Sequence, residues 1–281
     1  MFFNSPQSII TVLTVVLNLL VIISVSHFRQ LHTTTNLLTL SLAVADFLVG
    51  FLQMPVEILL YKGCWTLGDF ICAVKFFLGS HIISASVGNM VLIAIDRYIA
   101  ICDQMFYSTK VTLKRIIFCI CLCWILSALR SISILVDFLS QQYRYNFCNG
   151  ECVTVIRLTE AAIGFFVSFL GPITVIIVLY IRVFVVAVSQ ARAMRSHITA
   201  VTVQRSEAVK VQKSEIKAAR TLGVVVVVFL LCYTPYCSII VAVVNTSTGG
   251  STASLQYWLL YCNSCLNPLI YAFFYPGSEN L

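Results

Sequence analysis

The chain has 281 residues, of which 59% are hydrophobic and 10% are charged, and its formal net charge is +7. Ordinary soluble domains carry roughly 25% charged residues, so this composition excludes a soluble globular protein and predicts a membrane protein. The positive charge does not predict a nucleic-acid partner, because most Lys and Arg residues flank apolar segments on one predicted side of the membrane.

Seven apolar runs recur along the chain, each close to the roughly 20 residues that cross a bilayer as a helix. They are Ile9–Val25, Leu37–Tyr61, Phe76–Ile95, Ile116–Val136, Ala161–Val188, Thr221–Val244 and Leu255–Phe274. With their flanks, the predicted helices, numbered span one to span seven, lie near 9–28, 36–61, 71–103, 113–136, 159–190, 214–244 and 254–275. The predicted fold is an all-α membrane protein, a single seven-transmembrane helix bundle over residues 1–281.

The positions of the positive residues predict the orientation of the bundle. With the N-terminus outside, 13 of the 18 Lys and Arg residues fall on the cytoplasmic side, and such an excess fixes orientation during insertion. The five on the outer side are Lys62, Lys75, Arg130, Arg144 and Arg157. No basic segment precedes the first run and no cleavage pattern follows it, which predicts a retained span. The sequence therefore predicts a multi-pass plasma-membrane protein, N-terminus out and C-terminus in.

Polar residues inside the spans predict a polar centre, since each costs a few kcal/mol in the bilayer unless it meets a partner or water. They are Asp46 in span two, Ser86 in span three, and Asn263, Ser264 and Asn267 in span seven. One carboxylate among neutral oxygen-bearing groups suits a hard cation. The two interpretations are Na⁺ bound at Asp46 and a water-filled network of the same residues; no other metal and no cofactor is expected.

Three prolines predict hinges: Pro172 in span five, Pro235 in span six and Pro268 in span seven. Each frees a backbone carbonyl and permits a kink, so the bundle is predicted to switch between shapes. An enzyme is not expected, because the four histidines are scattered and no nucleophile with its base is evident. A transporter is a remote alternative, because the chain has no internal repeat.

Several motifs follow one another in a fixed order along nearly the whole chain. They are Asn18, Leu42-Ala43-Val44-Ala45-Asp46, Asp96-Arg97-Tyr98, Trp124, Pro172, Tyr180, Pro235 and Asn267-Pro268-Leu269-Ile270-Tyr271. In this order they resemble the rhodopsin-like (class A) G-protein-coupled receptors. Segments similar to the trace amine-associated receptors of that family are His27–Thr33, Ser41–Gly50, Cys64-Trp65, Ile95–Asp103 and Asn263-Ser264.

The resemblance implies a receptor for a small ligand that activates a heterotrimeric G protein. Most members of the subgroup are olfactory amine sensors coupled to a stimulatory G protein. The alternatives are a receptor for a non-amine ligand and a non-functional, decaying receptor. The subgroup continues after Tyr275-Pro276-Gly277 with an amphipathic helix, whereas this sequence stops at Leu281, so the chain is expected to be a fragment or a divergent member.

The resemblance also implies an activation switch around Asp96, Arg97 and Tyr98. Arg97 remains charged at membrane depth and needs an anion, which Asp96 supplies next to it and Glu215 supplies from the base of span six. Agonist binding is expected to swing span six outward about its proline. The other predicted switch residues are Tyr180, Tyr233, Pro235, Pro268 and Tyr271. The alternative is that Arg97 only snorkels to the interface.

The predicted ligand site departs from the family pattern. The family's amine-binding aspartate of span three corresponds to Gly79, and an alternative aspartate of span five corresponds to Gly164. Glu57 and Glu160 are the nearest acidic candidates; the alternatives for Glu57 are an internal pair with Lys62 or Lys75 and a carboxylate that faces water. The predicted ligand-binding residues are Glu57, Gly79, Ser80, Glu160, Gly164, Tyr236, Tyr257 and Tyr261.

Four of the 12 cysteines, Cys64, Cys72, Cys148 and Cys152, fall on the predicted outer side, where disulfides persist. The other eight lie in apolar helices and are expected to act as small hydrophobic residues. The resemblance favours a Cys72–Cys152 disulfide over Cys72–Cys148. Cys64 and Cys148 either pair with each other or stay free.

Overall fold

The computed structural model describes residues 6–62, 68–140, 158–197, 223–237 and 251–274, and the regular structure in these ranges is helical. Spans one, three, four and seven are Pro6–His27, Gly68–Cys102, Leu113–Ser140 and Ser251–Phe274. Span two consists of three consecutive helical segments, Thr34–Leu48, Val49–Gln53 and Met54–Lys62. Span five also consists of three consecutive segments, Leu158–Phe165, Phe166–Leu170 and Gly171–His197. The described part of span six is Gly223–Cys237, and short helices Arg29–Leu31 and Gln104–Lys110 lie in connections.

The helices of spans one to five are long and apolar enough to cross a membrane. Their sides carry exposed apolar residues, such as Leu20, Phe118 and Phe184. In water such a surface would be unfavourable, whereas in lipid it is the expected boundary of a helix bundle. The helical fold of a membrane protein predicted from composition is therefore present.

Spans two and five share a local irregularity. Each contains one π-helical turn, Val49–Gln53 and Phe166–Leu170, and a proline follows two residues later, at Pro55 and Pro172. Proline lacks the backbone N–H that continues an α-helix, and π-turns within helices occur often at functional sites. The extra residue in each turn rotates the following side chains relative to a regular helix.

Span three lies at the centre and packs against spans two, four and five, whereas span one packs against spans two and seven. Small residues allow two of these close contacts. A Cβ at Gly88 would lie 2.4 Å from the Sγ atom of Cys123, and one at Gly50 would lie 3.0 Å from the Thr14 side chain. The main core contains fully buried Leu38, Ile176 and Phe229.

Because the spans alternate in direction, span three defines two ends of the bundle. The Cys72 end also contains the last residues of span two and the first residues of span seven. The Arg97 end contains the start of span two and the start of span four. The polar residues inside the bundle form three groups, one near each end and one between them.

Candidate functional site

The middle group surrounds the carboxylate of Asp46, which is fully buried. Ser86 of span three and Ser264 of span seven donate hydrogen bonds to its Oδ1 atom at 2.9 and 2.8 Å, and Asn267 donates to Oδ2 at 2.7 Å. A buried carboxylate needs such donors, because leaving the bond unmade costs more than an ordinary hydrogen bond gains. Three spans are therefore joined at one charged residue.

Asn18 of span one joins the same group through the backbone. Its side-chain amide donates to the carbonyl oxygen of Ser264 at 3.1 Å. Pro268 lies four residues after Ser264 and has no N–H to bond that carbonyl, so the amide replaces the missing helical donor. The proline kink of span seven is thus stabilised from span one.

The middle group also contains oxygen atoms suited to a small cation. The Oδ1 atoms of Asn18, Asn89, Asn263 and Asn267 are buried and have no hydrogen-bond partner among the described residues. Neutral oxygens near one carboxylate fit a hard cation such as Na⁺, and they also fit buried water, which needs two to four polar partners. The residues around Asp46 are chemically suited to either occupant.

The residues that the sequence groups with Asp46 do not all bond to its carboxylate. Asp46, Ser86 and Asn267 come together as expected, with Ser264 as the fourth member. Asn263 donates to the Sδ atom of Met90 at 3.6 Å and not to Asp46. Its position in span seven differs from that of Ser264 by about 100° around the helix axis, which turns its amide toward span three.

At the Arg97 end, the carboxylate of Asp96 is 2% exposed and accepts hydrogen bonds from three residues. Thr35 of span two donates at 2.8 Å, Tyr107 of the short helix that follows span three donates at 2.9 Å, and Arg97 Nε donates at 3.1 Å. Arg97 Nη2 also donates to the Thr35 hydroxyl. Asp96, the first of the two predicted partners of Arg97, therefore pairs with it, and the Thr35 hydroxyl connects this pair to span two.

The remaining predicted switch residues are described in part. Tyr98 packs against the main core. Tyr180 of span five rests on span six, because a Cβ at Gly223 would lie 2.7 Å from the tyrosine oxygen. Glu215 and the side chain of Tyr271 lie outside the described residues, so their roles stay predictions.

The hinge region of span six contains stacked aromatic rings. Tyr233 lies over Phe229 with ring centroids 4.1 Å apart and an interplanar angle of 19°, and Phe229 lies over Phe169 at 6.4 Å and 14°. Phe169 belongs to the π-turn of span five. The stack connects spans five and six two residues before Pro235, where the sequence predicts a hinge.

Near the Cys72 end, Glu57 of span two forms an ion pair with Lys75 of span three, with 2.9 Å between Oε1 and Nζ. The two side chains are only 16% and 12% exposed. Tyr261 of span seven donates to the same Oε1 atom at 3.4 Å. The internal pair with Lys75, one of the interpretations that the sequence left open for Glu57, is thus present, whereas the side chain of Lys62 lies outside the described residues.

The two glycines among the predicted ligand-binding residues, Gly79 and Gly164, have different neighbours. A Cβ at Gly79 would lie 3.2 Å from the Oε1 atom of Gln53, so a buried amide of span two occupies the space beside this position. A Cβ at Gly164 would lie 3.2 Å from the Nη2 atom of Arg130. The neutral amide of Gln53 therefore lies beside Gly79, and the guanidinium of Arg130 lies beside Gly164.

Arg130 of span four is a charged residue that contacts two other spans inside the bundle. Its Nη1 atom donates to the hydroxyl of Ser84 in span three at 2.8 Å and to the hydroxyl of Ser168 in the π-turn of span five. A charge at the centre of a membrane helix costs about 2.5–3.5 kcal/mol on insertion scales. Arg130 is therefore a functional candidate. From the sequence it was interpreted only as one of the positive residues that indicate the orientation of the bundle.

Tyrosines of spans six and seven lie close to one another at this end of the bundle. Tyr236 of span six and Tyr257 of span seven are 5.3 Å apart between ring centroids, and Tyr261 lies against Trp258 at 6.0 Å.

The Ser80 hydroxyl is buried and has no hydrogen-bond partner within the described part of the chain. The side chain of Glu160 lies outside that part. Cys72 is disulfide-bonded, and the predicted partner Cys152 also lies outside it.

Sequence reasoning missed four contributors: Thr35, Tyr107, Gln53 and Arg130. Arginine inside an apolar run was a usable signal for the last of these, because ionisable residues in a span rarely lack a role. Thr35, Tyr107 and Gln53 carry no comparable signal, since their importance depends on which residue of another span they face. Among the described residues, no group of three or more His, Cys, Asp or Glu side chains could hold a metal ion.

Comparison with known proteins agrees with the motifs and the fold. The family model described as "7 transmembrane receptor (rhodopsin family)" matches residues 17–271 of this chain. The chain is 36% identical over 282 residues to trace amine-associated receptor 1 of Mus musculus, covering 97% of this chain and 84% of that one. It is 38% identical over 276 residues to trace amine-associated receptor 8a of Rattus norvegicus, covering 94% and 80%.

These relatives are receptors and not enzymes, and they cover nearly the whole bundle. A receptor of this family is a multi-pass protein of the plasma membrane whose partners are a small-molecule ligand and a G protein. The chain therefore belongs to the rhodopsin family of seven-transmembrane receptors (class A G-protein-coupled receptors), and within that family it is related to the trace amine-associated receptors.

Proposed function

We propose that this receptor senses a small amine at the Cys72 end and activates a stimulatory heterotrimeric G protein at the Arg97 end. The Cys72 end faces outward and the N-terminus is outside, an orientation supported by the excess of Lys and Arg toward the Arg97 end. The names of the relatives support an amine ligand. The resemblance to a mostly olfactory subgroup supports a role in olfaction.

One observation carries the amine proposal: Glu57 already binds an ammonium group, that of Lys75, at 2.9 Å, with Tyr261 on the same oxygen atom. A ligand ammonium that enters this site replaces one ammonium by another. Tyr236 and Tyr257 add aromatic faces, which attract cations. The ligand then gains by pairing with Glu57 while Lys75 moves toward solvent.

Span seven provides a route from this site to the middle of the bundle. Tyr261, which donates to Glu57, lies three residues before Ser264, which donates to Asp46. Residues three apart lie on neighbouring positions of one helix face, so a shift of span seven at Glu57 also changes the Asp46 group. Ligand acts through its different affinity for the two arrangements.

We propose Na⁺ as an allosteric occupant of the Asp46 group. Asp46 supplies the carboxylate, and Ser86, Asn263 and Asn267 supply neutral oxygens. The ion would balance the buried negative charge in the resting arrangement. Contraction of the group during activation would then release it.

At the Arg97 end, activation separates span six from span three by rotation about Pro235, and the ring stack of Tyr233 and Phe229 is the contact that must rearrange. Arg97 leaves Asp96, and Tyr180 moves off Gly223. Glu215 and Tyr271 belong to the same proposal as the second anion and an inward-turning tyrosine. The opened groove accepts a helix of the G protein.

A panel of amines on cells that express the chain with a cAMP reporter tests the proposal. At least one amine should raise cAMP, and Glu57→Gln should raise its EC50 about tenfold or more, since a hydrogen bond to a charged group is worth about 1.5–3 kcal/mol. Asp103→Asn is the matched control, because Asp103 is also an ion-paired carboxylate, with Lys110, but is far from the ligand end.

Silence across the panel, at normal surface expression, would reject the amine ligand. Equal potency in the parent and in Glu57→Gln would reject Glu57 as its counter-ion. A receptor for a non-amine ligand is the second candidate, and the amide of Gln53 beside Gly79 favours it, because that position no longer offers a carboxylate.

A further inference from the structure

We propose that the Arg97 end of the bundle binds the phosphate of an anionic phospholipid at Lys114 and Arg115, and that this contact holds the short helix Gln104–Lys110 in place beside Asp96. The partner is a headgroup of the surrounding membrane and not a soluble anion. The proposal goes beyond the function given above, since it needs neither the amine ligand nor the G protein.

Positive charge without a described acidic partner lies at the start of span four. Lys114 and Arg115 are both exposed, and the sequence has no Asp or Glu between Asp103 and Asp137. Asp103 already pairs with Lys110, at 2.9 Å between Oδ2 and Nζ. Among the described residues, Lys114 forms no ion pair. The two cations of span four are therefore suited to an anion from outside the bundle.

The lipid-facing side of span four begins at Lys114. Phe118, Leu122 and Ile125 follow it at spacings of four, four and three residues, so they lie on one side of the helix, and all three are exposed. Phe118 lies about 6 Å further along the helix axis than Lys114. These apolar side chains fit acyl chains, and the ammonium at the end of the same side fits a headgroup. This continuity favours a phospholipid over a free phosphate ion.

Arg115 connects this surface to the short helix. Its Nη1 atom donates to the carbonyl oxygens of Thr109 and Lys110, the last two residues of that helix, at 2.9 and 3.0 Å. Its Nε and Nη2 atoms make no hydrogen bond to the described residues. Guanidinium has five N–H groups in a planar fork, and such a fork binds phosphate in a bidentate manner. Arg115 can therefore bind phosphate on one side and hold the end of the helix on the other.

The short helix connects Arg115 to the switch. The hydroxyl of Tyr107 donates to Oδ1 of Asp96 at 2.9 Å, and the N–H of Val111 donates to the carbonyl oxygen of Tyr107 at 2.8 Å. Arg115 thus holds the helix within one turn of the tyrosine that bonds to Asp96. A phosphate that fixes the guanidinium of Arg115 also restrains Tyr107, and through it the pair of Asp96 and Arg97.

Lipid preference is measured on the full chain in nanodiscs of phosphatidylcholine that contain a trace of spin-labelled phosphatidylserine or phosphatidylcholine. Both faces of the bundle meet the same lipids there, so the readout does not depend on the orientation in the cell. The parent should immobilise phosphatidylserine in preference to phosphatidylcholine. Lys114→Gln and Arg115→Gln should each lower the affinity for phosphatidylserine about fivefold, the usual effect of one basic residue at an anionic surface.

Arg182→Gln is the matched control for these variants. Arg182 is an exposed arginine of span five, so its replacement changes the total charge equally and leaves the start of span four intact. This control should keep the preference of the parent for phosphatidylserine. An equal loss in Arg182→Gln would overturn the site, because the lipid would then respond only to the total charge of the bundle.

The connection to the switch is measured by hydrogen exchange of the backbone amides of residues 106–111 in the same nanodiscs. Unlabelled phosphatidylserine should slow this exchange about fivefold in the parent, and Arg115→Gln should abolish the effect. Arg115→Lys separates the two steps, because an ammonium keeps the charge but lacks the planar fork that binds two partners at once. It should keep the lipid preference and lose most of the protection.

Three further outcomes would contradict the proposal. Equal preference for phosphatidylserine in the parent and in both glutamine variants would overturn the headgroup site. Slower exchange on addition of inorganic phosphate to phosphatidylcholine nanodiscs would show that the site takes a free anion and not a lipid. Lipid binding at Lys114 and Arg115 without slower exchange would overturn the restraint on Asp96. None of these readouts uses an amine or a G protein, so their failure leaves the proposed function intact.

Discussion

The Arg97 end and the Cys72 end of the bundle differ in how their charges are arranged. At the Arg97 end, the paired residues Asp96 and Arg97 are neighbours in sequence, and Thr35 and Tyr107 complete their bonds. At the Cys72 end, Glu57 and Lys75 come from different spans, and Arg130 contacts two further spans. The charges at the Arg97 end are therefore paired within one span, whereas those at the Cys72 end join different spans.

If the proposed roles of the two ends are right, ligand recognition and signal transmission depend on separate sets of charges within one bundle. The Asp46 group lies between the two ends and contacts spans one, three and seven through Ser86, Ser264, Asn267 and Asn18. A new ligand therefore needs only to shift this common centre. Substitutions at one end at a time test whether the Arg97 end and the Cys72 end have separate roles.

The largest expected effect follows from Arg97→Ala. Removal of the guanidinium should lower maximal G-protein activation about tenfold or more, because a charged contact worth about 1.5–3 kcal/mol is lost from the open groove. Ligand affinity in membranes without G protein should stay within about twofold of the parent. The measurement is nucleotide exchange on a purified G protein beside ligand displacement. Normal exchange in Arg97→Ala would contradict the role given to the Arg97 end.

At the Cys72 end, a carboxylate introduced at position 79 should strengthen amine binding. Gln53 occupies the adjoining space, so the variant combines Gly79→Asp with Gln53→Ala. We expect amine affinity to rise about tenfold, the gain of a charge-assisted contact. The matched control is Gly79→Asn with Gln53→Ala, which has the same shape without the charge. Equal affinity in the two double variants would mean that the ligand ammonium does not reach span three.

A smaller effect is expected when Asp96 loses one donor. Thr35→Val and Tyr107→Phe each remove a hydrogen bond of about 1 kcal/mol from the resting arrangement. Basal cAMP at equal surface expression should rise about fivefold. Thr109→Val is the control, because the Thr109 hydroxyl donates to the Phe106 carbonyl oxygen of its own short helix and not to Asp96. Unchanged basal activity would show that these bonds do not restrain Arg97.

The smallest effect concerns sodium. Replacement of NaCl by choline chloride should raise agonist affinity by about fivefold at most, within the usual range of allosteric coupling. Ser86→Ala and Asp46→Asn should lose this dependence, because both change the group around the carboxylate. An equal sodium response in the parent and in both variants would favour buried water as the occupant.

Some contacts could be predicted from the sequence, because one residue has a charge that must be paired and its partner is apparent in a recognisable motif. Asp46 had to find donors inside the membrane, and Ser86 and Asn267 were apparent as polar residues in other apolar runs. Arg97 needed an anion, and Asp96 was adjacent. In such cases the chemistry of one residue restricts its partner so strongly that the pairing can be predicted without coordinates.

The ligand end could not be predicted in this way. Glu57 had two lysines within plausible reach, and only the rotation of spans two and three selects Lys75. The contacts of Arg130 depend on the π-turn Phe166–Leu170, which turns Ser168 toward span four. A one-residue change in helix register is about 100° of rotation, and no pattern in the sequence specified that turn.

The most direct test of the central claim is the dissociation constant of an amine agonist, measured on purified receptor for Glu57→Gln and Lys75→Gln. If the ligand ammonium replaces Lys75 at Glu57, the first variant should bind about tenfold or more weakly, and the second should bind more tightly than the parent, because the internal competitor is gone. Weaker binding in both folded variants, or no change in either, would contradict the exchange of ammonium groups at Glu57.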